Sequence, residues 1–225
     1  MNERILMIET STECCSAALS CGDRIIAKKI GDTPKIHAAM LAPFIAEILG
    51  EASLTGEGFD AVAVSKGPGS YTGLRVGVST AKGICFGSGK PLIAIDTLQI
   101  LAMQAEGDYR RIIPMIDARR MEVYTACYDS ERNKLDETRA VILDENSFSE
   151  ELGKGKVLFI GNGAGKFSSI CHHSNASFIS CCPLAEAMVI PALKAYKEKE
   201  FEDVAYFEPF YLKEFVAGIS KKSVL

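Results

Sequence analysis

Residues Lys66 to Gly83 read Lys-Gly-Pro-Gly-Ser-Tyr-Thr-Gly-Leu-Arg-Val-Gly-Val-Ser-Thr-Ala-Lys-Gly, and they pose the first chemical question. An apolar, β-branched stretch (Phe59 to Val64) runs into this glycine-rich turn, and the turn opens a helix. Phosphate is commonly held at such a place, because free backbone N–H groups and the helix dipole both point at the anion. Gly67, Gly69 and Ser70 would serve that purpose here. Yet the helix start has no Lys-Ser or Lys-Thr pair and no G-x-G-x-x-G, so neither the P-loop nor the dinucleotide fingerprint is met.

A second cluster, Glu9-Thr10-Ser11-Thr12, ends the first apolar stretch. Its carboxylate could bind a hydrated cation. Its hydroxyls could instead cap the strand and satisfy the turn's own backbone groups. Together with Asp96, Asp117 and the glycine-rich turn Gly161-Asn162-Gly163-Ala164-Gly165, these residues are what an ATPase or sugar-kinase-like phosphotransferase would use in a cleft. Peptidase chemistry is a poorer match. Gly69-Ser70-Tyr71-Thr72-Gly73 is not a G-x-S-x-G elbow, and Cys14 and Cys85 have no neighbouring His.

The helix after the turn is nearly free of large side chains. Gly73, Gly77 and Ala81 make one small-residue stripe at four-residue spacing, and Ser79, Gly83 and Gly87 make another. Each helical glycine costs about 0.8 to 1 kcal/mol relative to alanine. Close packing must offset that cost, either against the domain's own sheet or against another subunit.

Metal and redox chemistry have little support. The eight cysteines are scattered, with two adjacent pairs and no C-x-x-C, so reduced thiols acting as small core residues are expected. The His172-His173 pair beside Cys171 has no second cluster at zinc spacing. A formal net charge of −4 argues against a chain that grips nucleic acid alone, although Arg110, Arg111, Arg119, Arg120, Lys221 and Lys222 supply some positive charge. With 48% hydrophobic and 24% charged residues, and no apolar run of the roughly 18 residues a membrane span needs, a cytoplasmic globular protein is expected.

The elements that must position these residues follow from periodicity. Strands are expected at Ile5–Ile8, Cys15–Leu19 and Arg24–Lys29, then an amphipathic helix from Ile36 to Ala52 carrying Pro43. The strand at Phe59–Val64, the glycine-rich helix, a strand at Leu92–Ile95 and a helix at Thr97–Ala105 complete the order β-β-β-α-β-α-β-α. That order is one lobe of the fold shared by actin, sugar kinases and Hsp70 ATPases. A second lobe is expected from residue 107, with strands at Arg111–Ile116, Glu122–Tyr128, Ala140–Leu143 and Lys156–Ile160 and a helix at Pro183–Lys199. The lobes are bounded as 1–106 and 107–225, the C-terminal tail returning to the first.

With these residues in view, the chain resembles the bacterial tRNA threonylcarbamoyladenosine biosynthesis family TsaB, also called YeaZ. The resemblance rests on Ile8 to Thr12, His37 with Leu41 and Pro43, Gly67 to Gly77, Ala81-Lys82-Gly83, Asp117-Ala118-Arg119 with Glu122-Val123-Tyr124, and Pro209 to Leu212. It implies an α/β fold of the actin-like ATPase (ASKHA, ribonuclease H-like) kind, two lobes each with a mixed sheet flanked by helices. It further implies a non-catalytic partner, without cofactor or metal, that supports a TsaD-type catalytic subunit together with a TsaE-type ATPase. That catalytic subunit modifies adenosine 37 of tRNAs reading codons that begin with A, so tRNA would be met only through the complex. Alone, the chain would pair with itself. Related catalytic subunits hold a metal with H-x-x-x-H on the first helix, whereas here His37 is followed four residues later by Leu41. The partner interface is expected to use His37, Met40, Leu41 and Phe44 of the first helix. It would set them against Gly73, Leu74, Val76, Gly77, Thr80 and Ala81 of the second. Glu9, Thr10, Ser11, Gly67, Gly69, Ser70 and Asp117 would line a vestigial nucleotide cleft.

Overall fold

A computed structural model describes residues 2–31, 37–52 and 58–213. The expected helix start at Ile36 and the basic Lys221-Lys222 tail lie outside these residues. Three strands, β1 (Arg4–Glu9), β2 (Cys15–Cys21) and β3 (Arg24–Gly31), form an antiparallel meander. Helix α1 (His37–Glu51) leads to β4 (Ala61–Gly67), and α2 (Tyr71–Ser88) leads to β5 (Leu92–Asp96) and α3 (Thr97–Met103). The first sheet has the order β3-β2-β1-β4-β5, with β4 parallel to β1 and β5 parallel to β4.

The second half repeats this plan with shorter pieces. β6 (Arg111–Asp117), β7 (Glu122–Thr125) and β8 (Arg139–Ile142) form the meander, followed by α4 (Ser149–Gly153), β9 (Val157–Ile160), α5 (Ala164–Ser168) and β10 (Ala176–Ile179). The order β10-β9-β6-β7-β8, with β9 parallel to β6 and β10 parallel to β9, is the same topology as in the first sheet. The expected strand Glu122–Tyr128 is interrupted after Thr125, and Tyr128 pairs with Ile112 in the same antiparallel register as β7.

Alternation along β1 places the helices. Leu6 and Ile8 face a core shared with Leu41, Phe44 and Ile48 of α1 and Val78, Ala81 and Cys85 of α2. Ile5 and Met7 face the other side and pack on Met188, Ala192 and Leu193. Those residues belong to the 3-10 turn Ala185–Met188 and α6 (Val189–Glu198). The helix assigned by sequence to the second lobe therefore covers the first sheet, and the chain's return begins well before its tail. An antiparallel meander with parallel additions leaves the second face of that sheet bare, and α6 closes it. α3 packs between the halves, setting Leu98, Leu101 and Ala102 against Ile112, Tyr128 and Leu158.

Cys14 and Cys182 are bonded across 168 residues, with their Cα atoms 6.1 Å apart. This corrects the expectation that all thiols are reduced. The pairing depends on the late return of the chain, which places the segment before α6 beside the β1–β2 turn, and no spacing rule reports that. Cys15, Cys85, Cys127 and Cys171 are buried as small core residues.

Candidate functional site

A cleft of about 1510 Å³ lies between the lobes. Its first-lobe wall is built from the β1–β2 turn (Ser11, Thr12, Glu13), the start of α1 and the turn that opens α2. Its second-lobe wall is the β6–β7 hairpin, from Ile116 to Glu122, with Asn162. Asn162 joins the walls by donating to a Glu13 carboxylate oxygen at 2.8 Å and accepting from the Asp117 N–H at 3.0 Å.

The glycine-rich turn is closed onto the first strand. The Ser70 N–H donates to the Ser11 carbonyl at 2.6 Å, and the Ser70 hydroxyl caps α2 by accepting from the Gly73 N–H at 3.3 Å. Thr10 Oγ1 donates to the Gly73 carbonyl at 2.8 Å, and the Ser11 N–H donates to Glu9 Oε1 at 2.6 Å. A Cβ on Gly69 would stand 2.4 Å from the Ser11 carbonyl oxygen, and one on Gly73 would stand 2.1 Å from that of Thr10. Glycine is required here for backbone-to-backbone contact. N–H donors that a phosphate would need at the Ser11, Ser70 and Gly73 positions are already engaged with the protein.

Glu9 is wholly buried beneath this turn. Burial pushes its carboxyl up to about 7, and contacts with Ser11, Ser65 and the Thr10 backbone offset part of that effect. A carboxyl out of contact with the cleft and protonated near neutrality does not fit a cation ligand beside nucleotide phosphates. Thr10 and Ser11 are equally buried. Of the residues expected to line a nucleotide cleft, Ser11, Gly69, Ser70 and Asp117 do face it. Glu9 and Thr10 lie beneath its floor, and Gly67 is covered by the C-terminal segment.

Gly67 has φ +114, and a Cβ there would meet the Phe210 carbonyl oxygen at 2.5 Å. The Phe210 N–H donates to the Lys66 carbonyl at 2.7 Å, and Lys82 Nζ donates to the Ala205 and Phe207 carbonyls at 3.1 and 2.9 Å. Tyr211 stacks on Tyr71 with ring centroids 4.8 Å apart and accepts from Arg75 Nε at 3.2 Å. Lys213 then reaches Glu122 of the other lobe at 2.5 Å. Pro209 to Lys213 is thus a strap across the mouth of the cleft, lying on the first lobe at Lys66 and Tyr71 and reaching the second at Glu122.

The small-residue stripes separate clearly. Gly73, Gly77 and Ala81 are buried, and a Cβ on Gly77 would stand 2.3 Å from Thr10 Oγ1. Leu41, Phe44 and Leu74 are core residues of the same lobe. The expected groove for a partner is therefore corrected: these six residues pack helix against sheet within the chain. The other stripe faces outward. Gly83 and Gly87 have open space where a Cβ would be, Ser79 is exposed, and Phe86 beside them is 87% exposed. On α1 the outward residues include Ala38, Ala39, Ala42, Pro43 and Ala46. Met40, Val76 and Thr80 lie half-buried at the edge of this face.

His37, also half-buried, directs Nε2 at the Thr12 and Cys14 carbonyls, 2.8 and 3.1 Å away, so it ties α1 to the β1–β2 turn. The buried Leu41 occupies the position where a second imidazole would be needed for an H-x-x-x-H site. No group of three metal-ligating side chains occurs among the described residues. Asp96 caps α3 through the Leu98 N–H at 2.8 Å and pairs with Lys134 of the second lobe at 2.7 Å. No helix among the described residues is long and apolar enough to cross a membrane.

Residues 26–220 match the family described as TsaD, tRNA N6-adenosine threonylcarbamoyltransferase. The TsaB protein of Escherichia coli (strain K12), described as a tRNA threonylcarbamoyladenosine biosynthesis protein, is 32% identical over 227 residues, covering 95% of this chain and 96% of that protein. YeaZ from Pseudomonas aeruginosa has a TM-score of 0.83 and 28% identity, covering 93% of this chain and 100% of that one. The activator of 2-hydroxyisocaproyl-CoA dehydratase from Clostridium difficile, with bound ADPNP, shares the fold alone, at a TM-score of 0.50 and 11% identity over 89% of this chain and 97% of that one. Two lobes of identical strand order and full-length likeness to these relatives give the actin-like ATPase fold. The chain belongs to the TsaB (YeaZ) family of tRNA threonylcarbamoyladenosine biosynthesis proteins.

Proposed function

We propose that this chain is a non-catalytic subunit of a cytoplasmic tRNA threonylcarbamoylation system, supporting a TsaD-type catalytic subunit together with a TsaE-type ATPase. The observation that carries the reading is the closed turn. Where an actin-like ATPase must offer free N–H groups and a solvated carboxylate, this chain has Ser70 and Gly73 bonded back to the protein and Glu9 buried.

Its partner surface is the outward face of α1 and α2. That face is small and apolar on α1 and small with a projecting Phe86 on α2, so a helix of another subunit can approach closely while Phe86 enters it. The same face pairs two copies when no partner is present.

Reconstituted modification of adenosine 37 tests the reading. Modification should require this chain, and equal modification without it would reject the subunit role. Ala42→Arg with Gly83→Arg places bulk on the exposed face without touching the core. The double variant should keep its thermal transition and lose co-purification with the catalytic subunit, whereas Gly77→Leu should simply fail to fold.

A further inference from the structure

Arg119 and Arg120 form the tip of the β6–β7 hairpin and line the cleft, and both are exposed. Both have left-handed backbone, with φ of 71° and 48°. Such values are uncommon for residues other than Gly, Asn and Asp. Two consecutive arginines in the left-handed region point to a use for the side chains rather than for the turn.

The surrounding charges sharpen this. Asp117 is paired with Lys166 at 2.7 Å, and Glu122 with Lys213 at 2.5 Å. Glu13 accepts from Asn162 on the far side of the cleft. Neither arginine side chain has a hydrogen bond or ion pair among the described residues. The hairpin tip therefore presents two uncompensated guanidinium groups, in a chain of formal net charge −4. Apolar side chains flank them, Met121 being 36% and Ile142 75% exposed.

We infer that this hairpin grips the phosphodiester backbone of the tRNA directly, so that RNA is held by this subunit as well as by its partner. The inference rests on the proposed role in tRNA modification. A free nucleotide is the poorer occupant, because the Ser11, Ser70 and Gly73 N–H groups are engaged and the cleft exceeds the roughly 300–1,000 Å³ typical of small-molecule sites. Guanidinium groups at an exposed tip suit a polymer that lies across the cleft mouth.

The test is the double variant Arg119→Gly/Arg120→Gly in the complete complex, with unmodified tRNA titrated across a salt series. Glycine accepts the left-handed backbone, so the lone variant should melt at or above the wild-type temperature and co-purify normally with its partners. Its tRNA affinity should fall about tenfold near 0.1 M salt, and the slope of log K against log salt should become shallower by about 1 to 2. Lysine at both positions should restore most of the slope. Unchanged affinity and slope in an intact complex would overturn the inference. So would loss of partner binding, or loss of inorganic triphosphate binding by the lone chain with tRNA binding unchanged. Failure of the subunit role itself shows separately, as wild-type modification that proceeds without this chain.

Discussion

The two lobes share one strand order and treat the acidic end of the first strand in opposite ways. β1 ends in Glu9 and β6 ends in Asp117. Glu9 is sealed under an 18-residue helix whose opening glycines press on the Thr10 and Ser11 carbonyls. Asp117 stays exposed, pairs with Lys166 of the five-residue α5, and holds the Arg119 N–H at 2.6 Å. In each lobe the fourth strand runs into Gly-x-Gly, opened by a glycine of positive φ, +114° at Gly67 and +125° at Gly161. One topology thus supports a closed wall used for packing and an open wall that presents charge. Chemistry in such a cleft depends on the turns at the strand ends and hardly at all on the sheet.

The sharpest way to break this comparison is to place a methyl group at the closed turn. Gly73→Ala sets a Cβ 2.1 Å from a carbonyl oxygen of the β1–β2 turn, where neither backbone can yield. A loss of more than about 3 kcal/mol is expected, seen as insolubility or a large drop in the unfolding midpoint. Gly165→Ala in α5 meets open space and should be neutral or stabilising by up to about 1 kcal/mol. Equal effects would remove the distinction between the walls.

Next in size is the pair of carboxylates. Glu9 keeps its proton in the folded chain up to about pH 7, whereas in the unfolded chain it loses it near the ordinary 4.5. Between those values the folded state binds more protons, so stability falls as pH rises from about 4.5 to about 7 and is flat with respect to this group on either side. The linked loss is about 3 kcal/mol. Glu9→Gln should flatten the wild-type decline and be the more stable protein at pH 8, by urea denaturation across pH. Asp117→Asn removes a largely exposed ion pair and should shift stability by less than about 1 kcal/mol at any pH. A pH profile unaltered by Glu9→Gln would mean that the carboxyl is not sealed.

Much of the closed wall was legible in the sequence, because a β-branched strand, a Gly-Pro-Gly turn and a serine cap are local signals, and α2 starts at Tyr71 as they require. The direction of its glycines was not legible. Gly73, Gly77 and Ala81 have the same spacing as Ser79, Gly83 and Gly87, and only the neighbour opposite each Cα distinguishes a buried stripe from an open one. The open wall was legible only as charged turn residues, since pairing of Asp117 and Glu122 with distant lysines leaves no local trace. The return of α6 and the Cys14–Cys182 bond are contacts of the same kind, carried by chain segments far apart in sequence.

The strap supplies the smallest expected effect and links the two walls. Tyr211 holds the closed wall through Tyr71 and Arg75, and two residues later Lys213 holds Glu122 of the open wall. Tyr211→Phe keeps the ring stack and removes only the oxygen that accepts from Arg75, an exposed bond that adds little to stability. Global stability should barely move. Local protection should move more, because the strap opens separately from the core, and amide exchange at Phe210 should speed up severalfold as its N–H bond to the Lys66 carbonyl opens more often. Faster exchange confined to the strap and the Glu122 hairpin would show that one segment ties the walls together. Unchanged exchange at Phe210 would show instead that Gly67 and Lys82 hold the strap without the Tyr211 hydroxyl, so the closed wall would keep its cover independently of the open one.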